Sequence, residues 1–592
     1  MAYSLGSTQP ASPAANYLSS LSPQQLGILG ACAVGILALV ILGNQGNGRK
    51  SRLATSRWAK GSDRSRAKKR AKQQINGREK NKVTLWVNGP KINTVHREEK
   101  PTQYNVSGDH KTIYIPDAQR GMSVIGGSGT GKTFSVIDPV IRSAIAQGFP
   151  LCLYDFKYPA QTQRVAALAE ATGYEVNIFA PGFPESQVCN PLDFIHDATD
   201  AATARQMSEV LNRNFKLSAA QTDDPFFSNS GDQLVEATLL LAKALPHPDV
   251  MTAYTILSDP DLINRLKGIN SVNPWVGVAF GQLLSTAKSE KTVASIVSTA
   301  ALVFTRFMKA GMLPAFCGES TLPLDMTGKR LLIFGMDRNK RDVVGPLVAT
   351  VLHMVITRNV TRPRTDPLVV VLDELPTLYL PNLVQWLNEN REDGLCTLIG
   401  YQNQTQLEKA YGKELAQAIF GGTASKFMFN PQSAESADMF SRMLGDEEIR
   451  YKSKSRNTGS GKSSITRADQ ERTRRLFAPE QFNRLPQGHC IYINPAYGSR
   501  KEGSVPQKLK IKVAPREIKA QTLSIQCWNK LRDSLIARGI GNTPQDPDAV
   551  TLREREFQAK LPIIRSNDTT MPTGNALTTS HSSTPQTISR RI

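Results

Sequence analysis

The residues with the clearest chemistry run Gly126-Gly127-Ser128-Gly129-Thr130-Gly131-Lys132-Thr133. Holding a phosphate chain needs inward backbone N–H groups with no Cβ in the way, a positive helix end behind them, a mobile ammonium and a hydroxyl for Mg2+. Gly126, Gly129 and Gly131 meet the first need, with Gly127, Ser128 and Thr130 completing the loop; Lys132 is the ammonium and Thr133 the hydroxyl. The spacing fits G-x-x-x-x-G-K-[ST], so ATP and Mg2+ are the expected ligands. The stretch Pro367-Leu368-Val369-Val370-Val371-Leu372-Asp373-Glu374 reads as a buried strand ending in two carboxylates. Beside a phosphate loop, Asp373 is expected to share the Mg2+ with Thr133, and Glu374 to orient and deprotonate an attacking water. The pair predicts ATP hydrolysis.

Two further side chains carry weaker signals. Gln402 ends the next apolar run, Thr397 to Tyr401, where an uncharged hydrogen-bonding group can sense a γ-phosphate. Arg391 lies between the two runs, in Asn390-Arg391-Glu392-Asp393-Gly394. An arginine displayed at a subunit boundary can stabilise charge developing on a neighbour's nucleotide; composition alone favours a solvated surface arginine. Gly459-Ser460-Gly461-Lys462-Ser463 imitates half a phosphate loop, but Arg456 stands where the first glycine belongs and no strand is expected before it. It sits in a basic, Ser-rich stretch with Lys452, Lys454, Arg467, Arg472, Arg474 and Arg475. That stretch is expected to be a loop, either flexible and solvated or tracking a nucleic-acid backbone.

These groups need a scaffold, and the pattern of apolar runs predicts one. Met122–Ile125, Leu151–Tyr154, Val176–Phe179, Leu331–Phe334, Leu368–Leu372, Thr397–Tyr401, Phe427–Phe429 and Ile491–Ile493 read as short strands separated by helical stretches. Crossover connections of this kind predict a mostly parallel sheet covered on both faces, an α/β nucleotide-binding architecture. Ala204–Phe215, Gln233–Leu245 and Val293–Met308 have helical apolar spacing with no clear strand among them, which predicts an all-α insertion. The expected boundaries are an uncharged tail at 1–25, a transmembrane helix at 26–43, a basic juxtamembrane linker at 44–82 and the first segment of the α/β domain at 83–193. The all-α insertion at 194–324, the second segment of the α/β domain at 325–515, and a helical stretch with a disordered tail at 516–592 complete the chain.

The membrane expectation rests on Leu26 to Gly43, an uncharged apolar segment within a charge-free N-terminus. At 1.5 Å per residue it reaches roughly 27 Å, enough for a thin bilayer core. No basic segment precedes it and no convincing cleavage site follows, so an uncleaved anchor is expected rather than a signal peptide. Gly27, Ala31 and Gly35 form a small-residue stripe that allows helix association. Arg49, Lys50, Arg52 and Arg57 follow, which places the N-terminus outside and the bulk of the chain on the cytoplasmic side of the inner membrane. Residues 49–82 hold fourteen Lys and Arg against Asp63 and Glu79, a large share of the +21 net charge of the 592-residue chain. Such a charge favours a polyanionic partner, either nucleic acid or an anionic lipid surface. Seven scattered cysteines without a C-x-x-C pair suggest neither a zinc site nor a disulfide framework.

In this order the motifs resemble those of the TraG/TraD-like coupling proteins of conjugation and type IV secretion. The resemblance is carried by Ser56-Arg57-Trp58-Ala59, the phosphate loop, Asp155-Phe156-Lys157, Asn190-Pro191-Leu192 and Asp223-Asp224-Pro225-Phe226-Phe227. It continues through Asp373-Glu374-Leu375-Pro376-Thr377, Gly400-Tyr401-Gln402-Asn403-Gln404-Thr405-Gln406-Leu407 and Tyr411-Gly412. It implies a RecA-like P-loop NTPase domain with an inserted all-α domain, assembled as a homo-hexamer, and Arg391 acting across subunits with Gln402 as the motif glutamine. It also implies an ATP-driven, membrane-anchored translocase passing single- or double-stranded DNA, brought by relaxase or relaxosome proteins, to a type IV secretion channel. Two features depart from the family: one membrane helix is found instead of two, and Tyr158-Pro159 stands where many members have Gly-Glu. The rival readings are a double-stranded DNA translocase of the chromosome-segregation type and a non-enzymatic receptor gated by nucleotide.

Overall fold

The computed structural model describes residues 54–97, 100–218, 225–459, 462–498, 502–538 and 547–563. The expected membrane helix at 26–43 and the polar tail from about Asn567 lie outside them. Among the described residues the chain forms two compact units, one of residues 58–441 and 477–563, the other of residues 54–57 and 442–476.

Fifteen strands are described. They are β1 (Leu85–Val87), β2 (Lys91–Arg97), β3 (Lys100–Ser107), β4 (Ile113–Ile115), β5 (Met122–Ile125), β6 (Leu151–Asp155), β7 (Glu175–Phe179) and β8 (Arg330–Gly335). After them come β9 (Leu368–Leu372), β10 (Leu395–Tyr401), β11 (Ser425–Met428), β12 (Asp446–Gly459), β13 (Lys462–Arg475), β14 (His489–Ile493) and β15 (Gln507–Lys510). The larger unit is built on a nine-stranded sheet in the order β15-β14-β11-β5-β10-β9-β6-β8-β7. From β11 to β7 the neighbours are parallel, whereas β14 runs antiparallel to both β11 and β15. Every residue of β9 is buried, as the unbroken Leu-Val-Val-Val-Leu run requires in a strand covered on both faces. Each of the eight apolar runs coincides with a strand of this sheet, with ends shifted by a residue or two.

Helices Ala201–Ser218, Pro225–Lys243, Val250–Ser258 and Glu290–Thr305 lie between β7 and β8, with no strand among the described residues of that interval. Helix Arg341–Val360 joins β8 to β9 and buries nearly its whole length. Arg338–Val360 passes the length and hydropathy test for a membrane span, yet 83% of its apolar window is buried inside the protein, as in a core helix. One buried member, His353, stacks on Trp386 with ring centroids 5.0 Å apart, and neither ring nitrogen has a hydrogen-bond partner among the described residues. Burial pushes its protonation down from 6.5 to about 3. The unfolded chain therefore takes up this proton well before the folded chain does, and stability is lost as pH falls from about 6.5 towards 3. The stability change caused by His353→Leu is expected to be about 2 kcal/mol more favourable at pH 5 than at pH 7.5, read from denaturant unfolding at both pH values. An equal shift at both pH values would show that the imidazole is not held neutral.

The basic linker expected at 44–82 is corrected in part: Gly61–Gly77 is a helix packed onto the larger unit. Its inner face is Asp63, Ala67, Ala71, Gln74 and Ile75, spaced at helical intervals. Gln74 Nε2 donates to Asp117 Oδ1 at 2.6 Å, and Thr84 Oγ1 donates to Gln74 Oε1 at 2.6 Å. Arg70 pairs with Asp117 at 2.9 Å, and Lys68 and Lys72 both reach Asp109, at 2.9 and 3.1 Å. Some of the charge assigned to lipid or DNA is thus spent within the protein. The inner face is small and partly polar, so it gives little amphipathic contrast in sequence.

The Tyr158-Pro159 departure also has a packing reason. Tyr158 donates to Glu185 Oε1 at 2.8 Å, and its ring meets Phe183 at 4.8 Å and Trp528 at 6.5 Å. Arg532 reaches the other Glu185 oxygen at 3.0 Å, so this cluster fixes helix Pro515–Ala537 to the sheet unit. Helix Pro547–Lys560 then meets helix Val250–Ser258, where Arg553 Nε lies 3.0 and 3.1 Å from the two Asp249 oxygens.

The smaller unit corrects the expected loop around Lys462. Asp446–Gly459 and Lys462–Arg475 pair antiparallel along their whole length as a β-hairpin. At its base Ser56 N donates to Asp446 O at 3.1 Å, and Thr55 bridges Glu447. Gly445 has φ +72°, and a Cβ there would meet Ser56 Oγ at 2.6 Å. The Ser56-Arg57 motif therefore begins at a single bridge to the hairpin base.

Candidate nucleotide site

Parallel order puts the ends of β5, β9 and β10 at one edge of the sheet, where Gly126, Asp373 and Gln402 follow directly. The loop leaving β5 is pinned from two sides: Gly126 N donates to Tyr401 O at 3.2 Å and Gly127 N to Asn430 O at 2.7 Å. Gly129 and Gly131 have φ of +76° and +98°, a conformation that side-chain-bearing residues resist. Beyond Lys132 the chain makes a π-helical turn over Thr133–Ile137 before helix Asp138–Gln147. Pro139 has no N–H for the α-helical bond to residue 135, and the wider turn accommodates its ring.

Lys132 is buried, and its Nζ donates to Gly126 O and, at 3.2 Å, to Gly127 O. Burial lowers its pKa, opposed by the charges of Glu374 and Asp373 and assisted by Lys157. Thr133 Oγ1 donates to Asp373 Oδ2 at 2.9 Å. Burial, with the adjacent Glu374 carboxylate, pushes Asp373 up to about 6, against the pull of Thr133 and Lys132. Glu374 has a left-handed backbone, φ 58°, and its two carboxylate oxygens lie 3.4 and 3.3 Å from Gln402 Nε2. Such backbone strain, about 1 kcal/mol or more, is held in place by its surroundings. Thr377 Oγ1 donates to Glu374 O at 2.7 Å and lies 2.9 Å from the Tyr154 hydroxyl.

Lys132, Thr133, Asp373, Glu374 and Gln402 therefore converge. Arg391 does not join them. It is exposed in the turn that precedes β10, at the far end of a strand about 20 Å long. Its guanidinium makes no ion pair among the described residues.

Three contributors escaped sequence reasoning. Gly400 sits beneath Asp373, where a Cβ would come within 2.5 Å of Oδ1. Gln432, with φ 50°, lies over the loop and donates from Nε2 to Ser128 O at 3.3 Å; a Cβ on Gly127 would meet its Oε1 at 2.2 Å. Asn214, in helix Ala201–Ser218, pins Tyr379 beyond the acidic strand, donating to its carbonyl at 2.8 Å and accepting from its N–H at 2.8 Å. The glycine in Gly400-Tyr401-Gln402 was a visible signal; the other two had none.

The protein-family model for the type IV secretion-system coupling protein DNA-binding domain matches residues 112–498. The chain belongs to the type IV coupling proteins. It is 28% identical over 169 residues to the coupling protein TraD of Escherichia coli (strain K12), a match spanning 28% of this chain and 23% of that protein. The coupling protein thus spans about a quarter of the length of that relative. Among solved structures, the unbound conjugative coupling protein TrwBdeltaN70 superposes with a TM-score of 0.50 at 16% identity, covering 67% of this chain and 86% of that one. TrwB in complex with ADP and Mg2+ gives a TM-score of 0.50 at 17% identity, covering 73% and 97%. At such identities these two likenesses establish the coupling protein's fold, an α/β domain with a large mixed sheet.

Proposed function

We propose that this coupling protein is a membrane-anchored ATPase that drives DNA, bare or bound to a relaxase, into a type IV secretion channel. The observation that carries the reading is the convergence of Lys132, the Thr133–Asp373 pair at 2.9 Å and the Gln402-contacted Glu374 at one sheet edge. The donor set fits Mg2+, a hard ion that favours oxygen ligands and few carboxylates. Thr133 and Asp373 would hold the ion, which when bound supplies positive charge against the phosphates. The left-handed glycines leave the loop N–H groups unobstructed, Lys132 exchanges its carbonyl contacts for phosphate oxygens, and Glu374 takes the proton of the attacking water while Gln402 orients it. The solved complex of TrwB with ADP and Mg2+ supports this choice of ligands.

Arg391 acts on a neighbour in this reading, because its own Glu374 lies at the opposite edge of the sheet. A homo-hexamer anchored by one pass at 26–43, N-terminus outside and bulk cytoplasmic, would present each Arg391 to an adjacent site. The RecA-like motor segments at 83–193 and 325–515 would turn over nucleotide, and the all-α insertion at 194–324 would engage the relaxosome. Asn214 ties that helical insertion to the segment beyond Glu374.

The test is phosphate release by the full purified chain, with and without single- and double-stranded DNA. The full chain is needed because a fragment beginning at 83 lacks helix Gly61–Gly77 and its buried face. DNA-stimulated turnover that falls to background in Lys132→Ala is expected. ATP binding with no turnover under any condition would replace the motor by a nucleotide-gated receptor.

A further inference from the structure

Helix Gly61–Gly77 has two faces of different chemistry. The acids it meets lie towards the protein, where Lys68 and Lys72 close on Asp109 and Arg70 on Asp117. Every exposed residue of the helix is Gly, Ser, Arg, Lys, Gln or Asn, with no apolar side chain among them. Arg66, Lys69, Arg70 and Gln73 recur at helical spacing and line a groove of about 440 Å³, together with Glu79 and Lys82 from the turn that follows the helix. Glu79 is taken by Lys82 at 2.6 Å. Arg66 and Arg70 keep 52% and 53% of their side-chain surface exposed, and Lys69 pairs with no carboxylate among the described residues. Four cations thus line the groove with one acid, itself already paired. Guanidinium groups hold phosphate through paired N–H donors, and an ammonium adds a point charge.

We propose that this groove binds the phosphate headgroups of anionic lipid. Only residues 44–60 separate the helix from the expected anchor at 26–43, so it is the first described helix past the bilayer. Basic residues just beyond a membrane helix are attracted to anionic lipid within about one Debye length of the surface. An outer face without apolar residues rests against headgroups and does not enter the acyl region. DNA is the weaker occupant: the exposed face offers no aromatic ring for a base to stack on, and the DNA-binding family match begins only at residue 112. The inference rests on the membrane anchor proposed above and is independent of ATP hydrolysis and of DNA transport.

The experiment is lysine acylation by N-hydroxysuccinimidyl acetate, read by mass spectrometry, in the full chain reconstituted into nanodiscs of phosphatidylglycerol or of phosphatidylcholine. Lys69 should react about 5-fold more slowly in phosphatidylglycerol, the effect of one basic residue beside an anionic surface. Lys530, exposed on helix Pro515–Ala537, should react equally in both. Salt at about 1 M, where the Debye length is about 3 Å, should abolish the difference. Arg66→Gln with Arg70→Gln should abolish it as well, and Arg66→Lys with Arg70→Lys should keep it. Lys69→Glu, which breaks no ion pair among the described residues, should remove the matching protection of Lys82, so a misfolded Gln pair leaves the groove testable. Equal Lys69 rates in the two lipids would overturn the assignment, as would protection that oligothymidylate gives in phosphatidylcholine and phosphatidylglycerol does not. Anchoring is scored separately by carbonate extraction. A chain that carbonate strips from the membrane refutes the anchor, and protection of Lys69 by phosphatidylglycerol vesicles added from outside then still decides the groove.

Discussion

Glu374→Gln should lower the rate of ATP turnover by about 10²–10⁴-fold, the usual contribution of a positioned general base. The substitution is isosteric and leaves the Thr133–Asp373 contact in place, so nucleotide affinity should change only a few-fold. Single-turnover phosphate release, measured beside titration with a fluorescent ATP analogue, separates the two quantities. Retention of more than about a tenth of the wild-type rate would remove Glu374 from the proton-accepting role. Equal losses in rate and affinity would instead mean that the left-handed turn had collapsed.

Arg391→Ala should reduce turnover by about 10³–10⁵-fold, the range seen where an arginine is supplied across an interface. The structure makes this prediction unusually discriminating, because Arg391 lies before β10 and Gln402 after it. No change within one protomer can connect them without breaking the sheet. Mixing Arg391→Ala protomers with Lys132→Ala protomers should therefore restore activity, since an intact Arg391 from one can complete an intact phosphate loop in the other. Two inactive preparations that stay inactive when co-assembled would rule out action in trans. A solitary Arg391→Ala variant with wild-type turnover would return the residue to the solvated surface role.

Much of the site was legible because its determinants are local. A glycine run followed by Lys132 and Thr133 has few uses other than phosphate binding, and Leu368–Leu372 announces a buried strand whose next two residues must emerge at its end. Parallel pairing then carries Gln402 to the same edge. The hairpin defied the sequence because its period-2 pattern alternates charged with small polar residues, with no apolar face to mark a strand. Helix Gly61–Gly77 was hidden by similar chemistry, since Ala67 and Ala71 pack tightly while contributing little hydrophobic contrast.

The sequence by itself determined the phosphate loop and the acidic strand end of the candidate nucleotide site, the α/β order of the elements and the family, because each rests on residue types at short fixed spacings. Only the tertiary structure decided that Gln432 covers the loop, that Gly400 makes room for Asp373 and that Arg391 lies at the other end of β10 from Gln402. These outcomes depend on which strands become neighbours. Burial energy summed over the whole sheet selects that arrangement, and no local pattern encodes it.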